Sequence, residues 1–136
     1  HCDEINIRHA IEIELLAYGH LPLAYSARCF TSRAENRAKE DCQYCCINYP
    51  QGRLTKSQEG EELFVLNGIQ TMSGGCYNLF NDLDTMAGLV DVVRLSPEPD
   101  TTFSTLVNFK HRESKVALKN NENNGYWYQV AGLNVI

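Results

Sequence analysis

Four of the six cysteines in the chain lie within 18 residues, at positions 29, 42, 45 and 46. Cys2 and Cys76 stand apart from this group. Six cysteines among 136 residues are fewer than a disulfide-stapled scaffold carries, and the chain has enough apolar residues to bury a core without staples. Because thiolates are preferred ligands of soft metals, the group predicts a metal site.

The spacing of the cysteines limits how many of them can share one site. If the segment around them is helical, Cys42 lies on the same face as both Cys45 and Cys46, at i+3 and i+4. Cys45 and Cys46 are themselves about 100° apart around a helix. We therefore expect one of these two neighbours to be a buried spectator.

The type of metal is left open by the spacing. Zinc needs a fourth ligand for a closed tetrahedral site, and Cys76 and His20 are the candidates. An iron–sulfur cluster needs four thiolates, or three thiolates and an open iron. No arrangement of serine, histidine and acid forms a recognisable catalytic centre, so no catalytic residue is assigned.

The formal net charge of −5 disfavours a protein that binds nucleic acid or anionic membranes, since either would need a basic face. Basic residues near the cysteines alternate with acidic ones, which predicts a solvated surface of mixed charge. The residues concerned are Arg28, Arg33, Arg37 and Lys39 among Glu35, Glu40 and Asp41.

The chain shows no membrane-targeting pattern. Its first residues carry charges where a signal peptide would be apolar, and the longest uncharged stretch, 63–81, is interrupted by polar residues. We therefore expect a cytoplasmic protein without a transmembrane segment. A chain that begins with His1 is expected to be processed or to be a piece of a longer one.

The pattern of apolar residues predicts an α/β protein with one inserted hairpin. Apolar and acidic residues alternate from Ile11 to Leu15, as in a strand, and Pro22 predicts a loop after that strand. The predicted elements are a strand at 11–19, hairpin strands at 53–56 and 62–66, a helix at 77–86, a strand at 89–95 and a helix at 103–110.

Several long strings of the sequence resemble the collagenase-like peptidase superfamily, and in particular its members in ubiquinone biosynthesis. The similar strings span essentially all 136 residues, and they correspond to the C-terminal half of such a protein. They are "YGHLPLAYSARCF", "DCQYCCINYP", "FVLNGIQTMSG", "GLVDVVRLSP" and "NGYWYQVAGL".

The resemblance implies a [4Fe-4S] cluster whose ligands include Cys29, Cys42 and Cys46, which makes Cys45 the spectator. The fourth family ligand lies in the N-terminal half, outside this chain, and neither Cys2 nor Cys76 occupies its position. Residues 1–136 are then a single segment of a larger domain. That segment is the second half of a TIM-barrel-like (β/α) fold, with the cysteine-bearing loop and the hairpin inserted.

The resemblance also implies a function in ubiquinone (coenzyme Q) biosynthesis. The expected role is O2-independent hydroxylation of the ring of a ubiquinone precursor, in a heterodimer with a sister subunit, UbiU. A lipid-carrier protein, UbiT, is expected in the same pathway, and nucleic acid is not an expected partner. The alternatives are an RNA-hydroxylation or peptidase member of the same superfamily, and a structural zinc-binding module.

Overall fold

The computed structural model describes residues 11–98, 101–111 and 114–136. They fall into two units: the first is formed by residues 11–19 and 77–136, and the second by residues 20–76. These described residues form two four-stranded sheets and few helices, so the predicted mixed α/β class is confirmed. Cys2 and His1 lie outside the described residues.

The elements are numbered in chain order. The strands are β1 Glu14–Gly19, β2 Pro22–Tyr25, β3 Arg53–Lys56, β4 Glu62–Asn67, β5 Gln70–Ser73, β6 Cys76–Asn78, β7 Val92–Leu95 and β8 Glu122–Asn123. The α-helices are α1 Phe30–Ala34, α2 Leu83–Met86 and α3 Thr102–Lys110, and the 3₁₀ helices are Cys45–Asn48 and Phe80–Asp82.

Strand β1 is an inner strand of the first unit's sheet, whose order is β7-β1-β6-β8. It pairs in parallel with β7 and antiparallel with β6. Residues 16–19 are all buried, as expected of a strand that has a neighbour on each side and is covered on both faces. The strand predicted at 11–19 is therefore confirmed, with its regular part beginning at Glu14.

Helix α3 packs against the rest of the first unit through the aromatic ring of Phe109. The ring of Phe109 lies edge-on to Tyr18 at 5.9 Å and to Phe80 at 5.3 Å, measured between ring centroids. Elsewhere on the helix, Phe103 and Leu106 are exposed. The helix predicted at 103–110 is confirmed.

In the part of the chain that the structure describes, no helix has the length and hydrophobicity needed to cross a membrane.

The helix predicted between Tyr77 and Met86 is wrong over its first half. Tyr77 belongs to strand β6, where it lies opposite Gly19 of β1. The Asn78 side chain then accepts a hydrogen bond from the Phe80 N–H at 2.9 Å, and such a local bond competes with helix formation. Helix α2 is consequently only 4 residues long.

The second unit is an antiparallel sheet with the strand order β2-β5-β4-β3. The predicted hairpin is confirmed, with Arg53 of β3 opposite Leu66 of β4. The loop predicted at Pro22 is wrong, because this residue begins β2. Proline is tolerated as the first residue of an edge strand, where no N–H is needed for the ladder.

Among the described residues, strand β7 lies at the edge of the first sheet, with β1 as its neighbour. Its Val92 and Val93 side chains are exposed. The strand predicted at 89–95 is thus confirmed in its second half, at Val92–Leu95. Parallel pairing of β1 with β7 is compatible with a TIM-barrel-like half, which stays a prediction.

Leu79 is fully buried in the first unit, so its truncation tests the core. We expect Leu79→Ala to lower the free energy of unfolding by about 2–5 kcal/mol, because lost apolar burial and the cavity left behind add together. Urea unfolding followed by Trp127 fluorescence measures the change. Leu106→Ala, at an exposed position of α3, is the control, and an equal loss in both variants would contradict the packing described.

Candidate metal centre

Cys29 is held at the start of helix α1 in the second unit. Its extended backbone and its Sγ cap the helix, and the sulfur accepts a hydrogen bond from the Ser32 N–H at 3.5 Å. The same turn is attached to the β4–β5 connection, since the Phe30 N–H donates to the Gly68 carbonyl at 2.7 Å. Cys29 is thus positioned by both a helix and the sheet.

The other three clustered cysteines do not lie on one helix. Gln43 and Tyr44 have φ values of 47° and 52°, and this left-handed conformation interrupts a right-handed helix. The Cys45 N–H still donates to the Cys42 carbonyl at 3.1 Å, and a 3₁₀ turn follows from Cys45. The helical face expected for Cys42, Cys45 and Cys46 is therefore wrong.

Burial distinguishes Cys45 from the other three. Cys45 is buried, whereas Cys29, Cys42 and Cys46 are half-buried. Burial raises the pKa of the Cys45 thiol, and the nearby thiols, Cys42 first, raise it further. The four sulfurs therefore share one electrostatic neighbourhood.

The described residues contain no ready-made metal site. Within 11–98, 101–111 and 114–136, no three His, Cys, Asp or Glu side chains are grouped closely enough to hold an ion together. Of the zinc-ligand candidates, His20 is engaged through Nδ1 with the Ser73 carbonyl oxygen at 2.7 Å. Cys76 is buried in strand β6.

A cavity of about 180 Å³ connects two of the cysteines with two cations. Cys29 and Cys42 line it together with Arg28 and Lys39. Both cations are exposed, and they place positive charge at the rim of the cavity that these two cysteines line. The sequence placed the cations in a solvated mixed-charge surface, and only the fold shows that two of them line this cavity.

The carboxylate of Glu35 joins the two ends of segment 36–48, which carries Cys42, Cys45 and Cys46. Its Oε1 accepts hydrogen bonds from the Tyr49 hydroxyl at 2.7 Å and from the Arg53 guanidinium. Arg53 also lies over the Tyr49 ring, 4.5 Å from the centroid. Glu35 follows α1 and Tyr49 follows the 3₁₀ turn. Residues 36–48 therefore form a loop whose ends are held together. We call the contacts of Glu35 with Tyr49 and Arg53 the Glu35 clamp, and no sequence pattern indicated it.

No protein-family model matches the chain, and no solved structure matches it. The assignment of ligands therefore depends on the geometry of the cysteine segment and on the resemblance described above.

The burial of Cys45 predicts slow chemical modification. The thiolate is the reactive form of cysteine, and a raised pKa leaves less of it at a given pH. We expect iodoacetamide at about pH 8 to alkylate Cys45 in the metal-free chain more slowly than Cys29, Cys42 and Cys46. Mass spectrometry of the peptides measures the four rates. A rate for Cys45 equal to that for Cys46 would contradict the described burial.

The Glu35 clamp predicts a pH-dependent stability. Hydrogen bonds from Tyr49 and then Arg53 hold the pKa of Glu35 below its ordinary value of 4.5. Because the pKa of Glu35 is lower in the folded state than in the unfolded state, its ionised carboxylate stabilises the fold at pH values above the ordinary pKa. This stabilisation is lost as the pH falls through the folded-state pKa. We expect Glu35→Gln to lower the urea midpoint at neutral pH, with no difference from the parent chain at about pH 2.

The NMR signals of β3 and β4 report this unfolding. The matched control is Glu61→Gln, which removes one carboxylate from an exposed position of the β3–β4 turn. If the control variant shows the same pH-dependent loss, the effect belongs to net charge and not to the clamp.

Proposed function

We propose that this chain is the cluster-binding part of an iron–sulfur protein. Cys29, Cys42 and Cys46 would hold a [4Fe-4S] cluster, with the fourth thiolate supplied from outside this chain. The observation that carries the proposal is that Cys29 and Cys42 line one cavity, while Cys46 lies half-buried in the same loop as Cys42, beside the buried Cys45. Three thiols fit the cluster in donor chemistry, since its iron atoms are bound by cysteine sulfur.

The surrounding residues prepare the thiols for a charged group. Helix α1 and its hydrogen bond to the sheet orient Cys29. Arg28 and Lys39 place positive charge at the rim of the cavity that Cys29 shares with Cys42. Cys45 is buried away from solvent and is left as the spectator. Binding would bring the ligands closer together than they are in the metal-free chain.

The resemblance to the ubiquinone biosynthesis protein UbiV supports a specific role. The chain would act with the sister subunit UbiU, in a cytoplasmic heterodimer, in O2-independent hydroxylation of a ubiquinone precursor, with UbiT as the lipid carrier. A fully ligated cluster transfers single electrons, and one with an open iron activates a substrate. The chain is then part of a hydroxylase complex and not a peptidase, and its fold is part of a TIM-barrel-like domain.

Ligand substitutions test the cluster. We expect Cys29→Ala, Cys42→Ala and Cys46→Ala each to reduce the iron content of the anaerobically purified full-length protein several-fold, because each removes a thiolate ligand. Iron and sulfide analysis and the brown absorption of the cluster measure the loss.

Cys45→Ala is the matched control within the same loop, and it should retain most of the iron. Loss of iron from Cys45→Ala equal to that from Cys46→Ala would contradict the ligand assignment. A colourless protein with stoichiometric zinc would favour the structural zinc module. Unchanged ubiquinone in an anaerobically grown deletion strain would contradict the pathway while leaving the cluster intact.

A further inference from the structure

Three arginines of the second unit line a second cavity, beside the cysteine cavity. This cavity has a volume of about 420 Å³ and is lined by Arg28, Arg33, Asn36, Arg37 and Ala38. Small-molecule sites commonly have about 300–1,000 Å³. No acidic residue is among those that line it, although the chain as a whole has a net charge of −5.

The local fold brings the arginines together. Helix α1 ends at Ala34, and Asn36 takes a left-handed φ of 53°, which turns the chain back. The Arg37 N–H then donates to the Ser32 carbonyl at 2.8 Å. Ser32 is buried, so this bond fixes Arg37 against the helix that carries Arg33.

Glu35, which lies between Arg33 and Arg37 in sequence, interacts mainly with Tyr49 and Arg53, and Arg37 is the least of the causes that lower its pKa. Glu35 accepts hydrogen bonds from Tyr49 and Arg53, as described above. Arg37 is oriented by Gln43, to whose Oε1 it donates at 3.2 Å. Among the described residues, no salt bridge joins Arg28, Arg33 or Arg37 to a carboxylate.

The chemistry of the lining selects an oxyanion. Guanidinium groups present several N–H donors in a planar fork that matches the oxygen atoms of carboxylate and phosphate. The Asn36 amide offers both a donor and an acceptor for a further polar group. The cavity lacks aromatic side chains, so a purely apolar ligand has nothing to pack against.

We propose that Arg28, Arg33 and Arg37 form a binding site for a small organic anion that bears carboxylate or phosphate groups. Arg28 lines both cavities, so the anion would bind directly beside the cysteine segment. The inference goes beyond the proposed function and does not depend on it, because the backbone turn at Asn36 and the Arg37–Ser32 hydrogen bond position the arginines.

Calorimetric titration of the full chain with inorganic phosphate and with succinate tests the site and shows whether it prefers phosphate or carboxylate groups. We expect saturable binding of at least one anion, weakened by salt, and the tighter of the two identifies the preferred group. Arg33→Gln should weaken binding about tenfold, equivalent to about 1.4 kcal/mol. Arg28→Gln, a second exposed position, guards against a folding defect in the first variant.

Arg94→Gln is the matched control, since it removes the same charge from the first unit, where Arg94 pairs with Glu14 at 2.8 Å. Its affinity should stay within about twofold of the parent chain. The proposal is overturned if neither anion binds saturably or if all three variants weaken binding equally. Binding of a poly-glutamate peptide alone would also overturn it, and would make the arginines a protein-docking surface. Iron content is measured separately, so failure of the anion site and failure of the cluster are distinguishable.

Discussion

The carboxylate of Glu35 is the group on which the arrangement of the second unit's functional residues depends. It receives hydrogen bonds from Tyr49 and Arg53, which lie on the far side of the cysteine loop. A loop of this length has many conformations, and joining its ends lowers the entropy that must be lost when the thiols are ordered. The same engagement ties this carboxylate mainly to Arg53, so that its interaction with Arg37 is the weaker one. One side chain thus influences both the thiols and the cationic cavity.

Elements with a clear alternation of apolar residues could be predicted from the sequence. β1 has such a pattern at its start, from Ile11 to Leu15. The β3–β4 hairpin was indicated by the turn residues between its strands, and of its apolar side chains Val65 is buried whereas Leu54 and Phe64 are exposed. Pro22 misled the prediction, since its effect depends on whether the strand lies at an edge, and this is a property of the sheet. The helix expected at 77–86 failed at Asn78, whose side chain forms a local bond that periodicity does not detect.

The candidate site was predicted only in part. The cysteines are visible as residue types, and the structure places three of them in the loop 36–48 and Cys29 at the start of helix α1, all in the second unit. That Cys42, Cys45 and Cys46 share no helical face could not be foreseen, because Gln43 and Tyr44 adopt left-handed backbone conformations without being glycine. The cations of the two cavities looked like an ordinary solvated surface. That they line cavities without an acidic residue becomes visible only from the fold.

The edge strand β7 has a consequence for how the chain behaves at high concentration. An exposed strand edge offers unpaired backbone groups to another chain, and Val92 and Val93 add apolar surface there. Charged residues that discourage such pairing are few along β7, where Arg94 is the single charged residue. Preparations of this chain should therefore associate through added strands as the protein is concentrated, and a covering polypeptide on this edge would suppress that self-association.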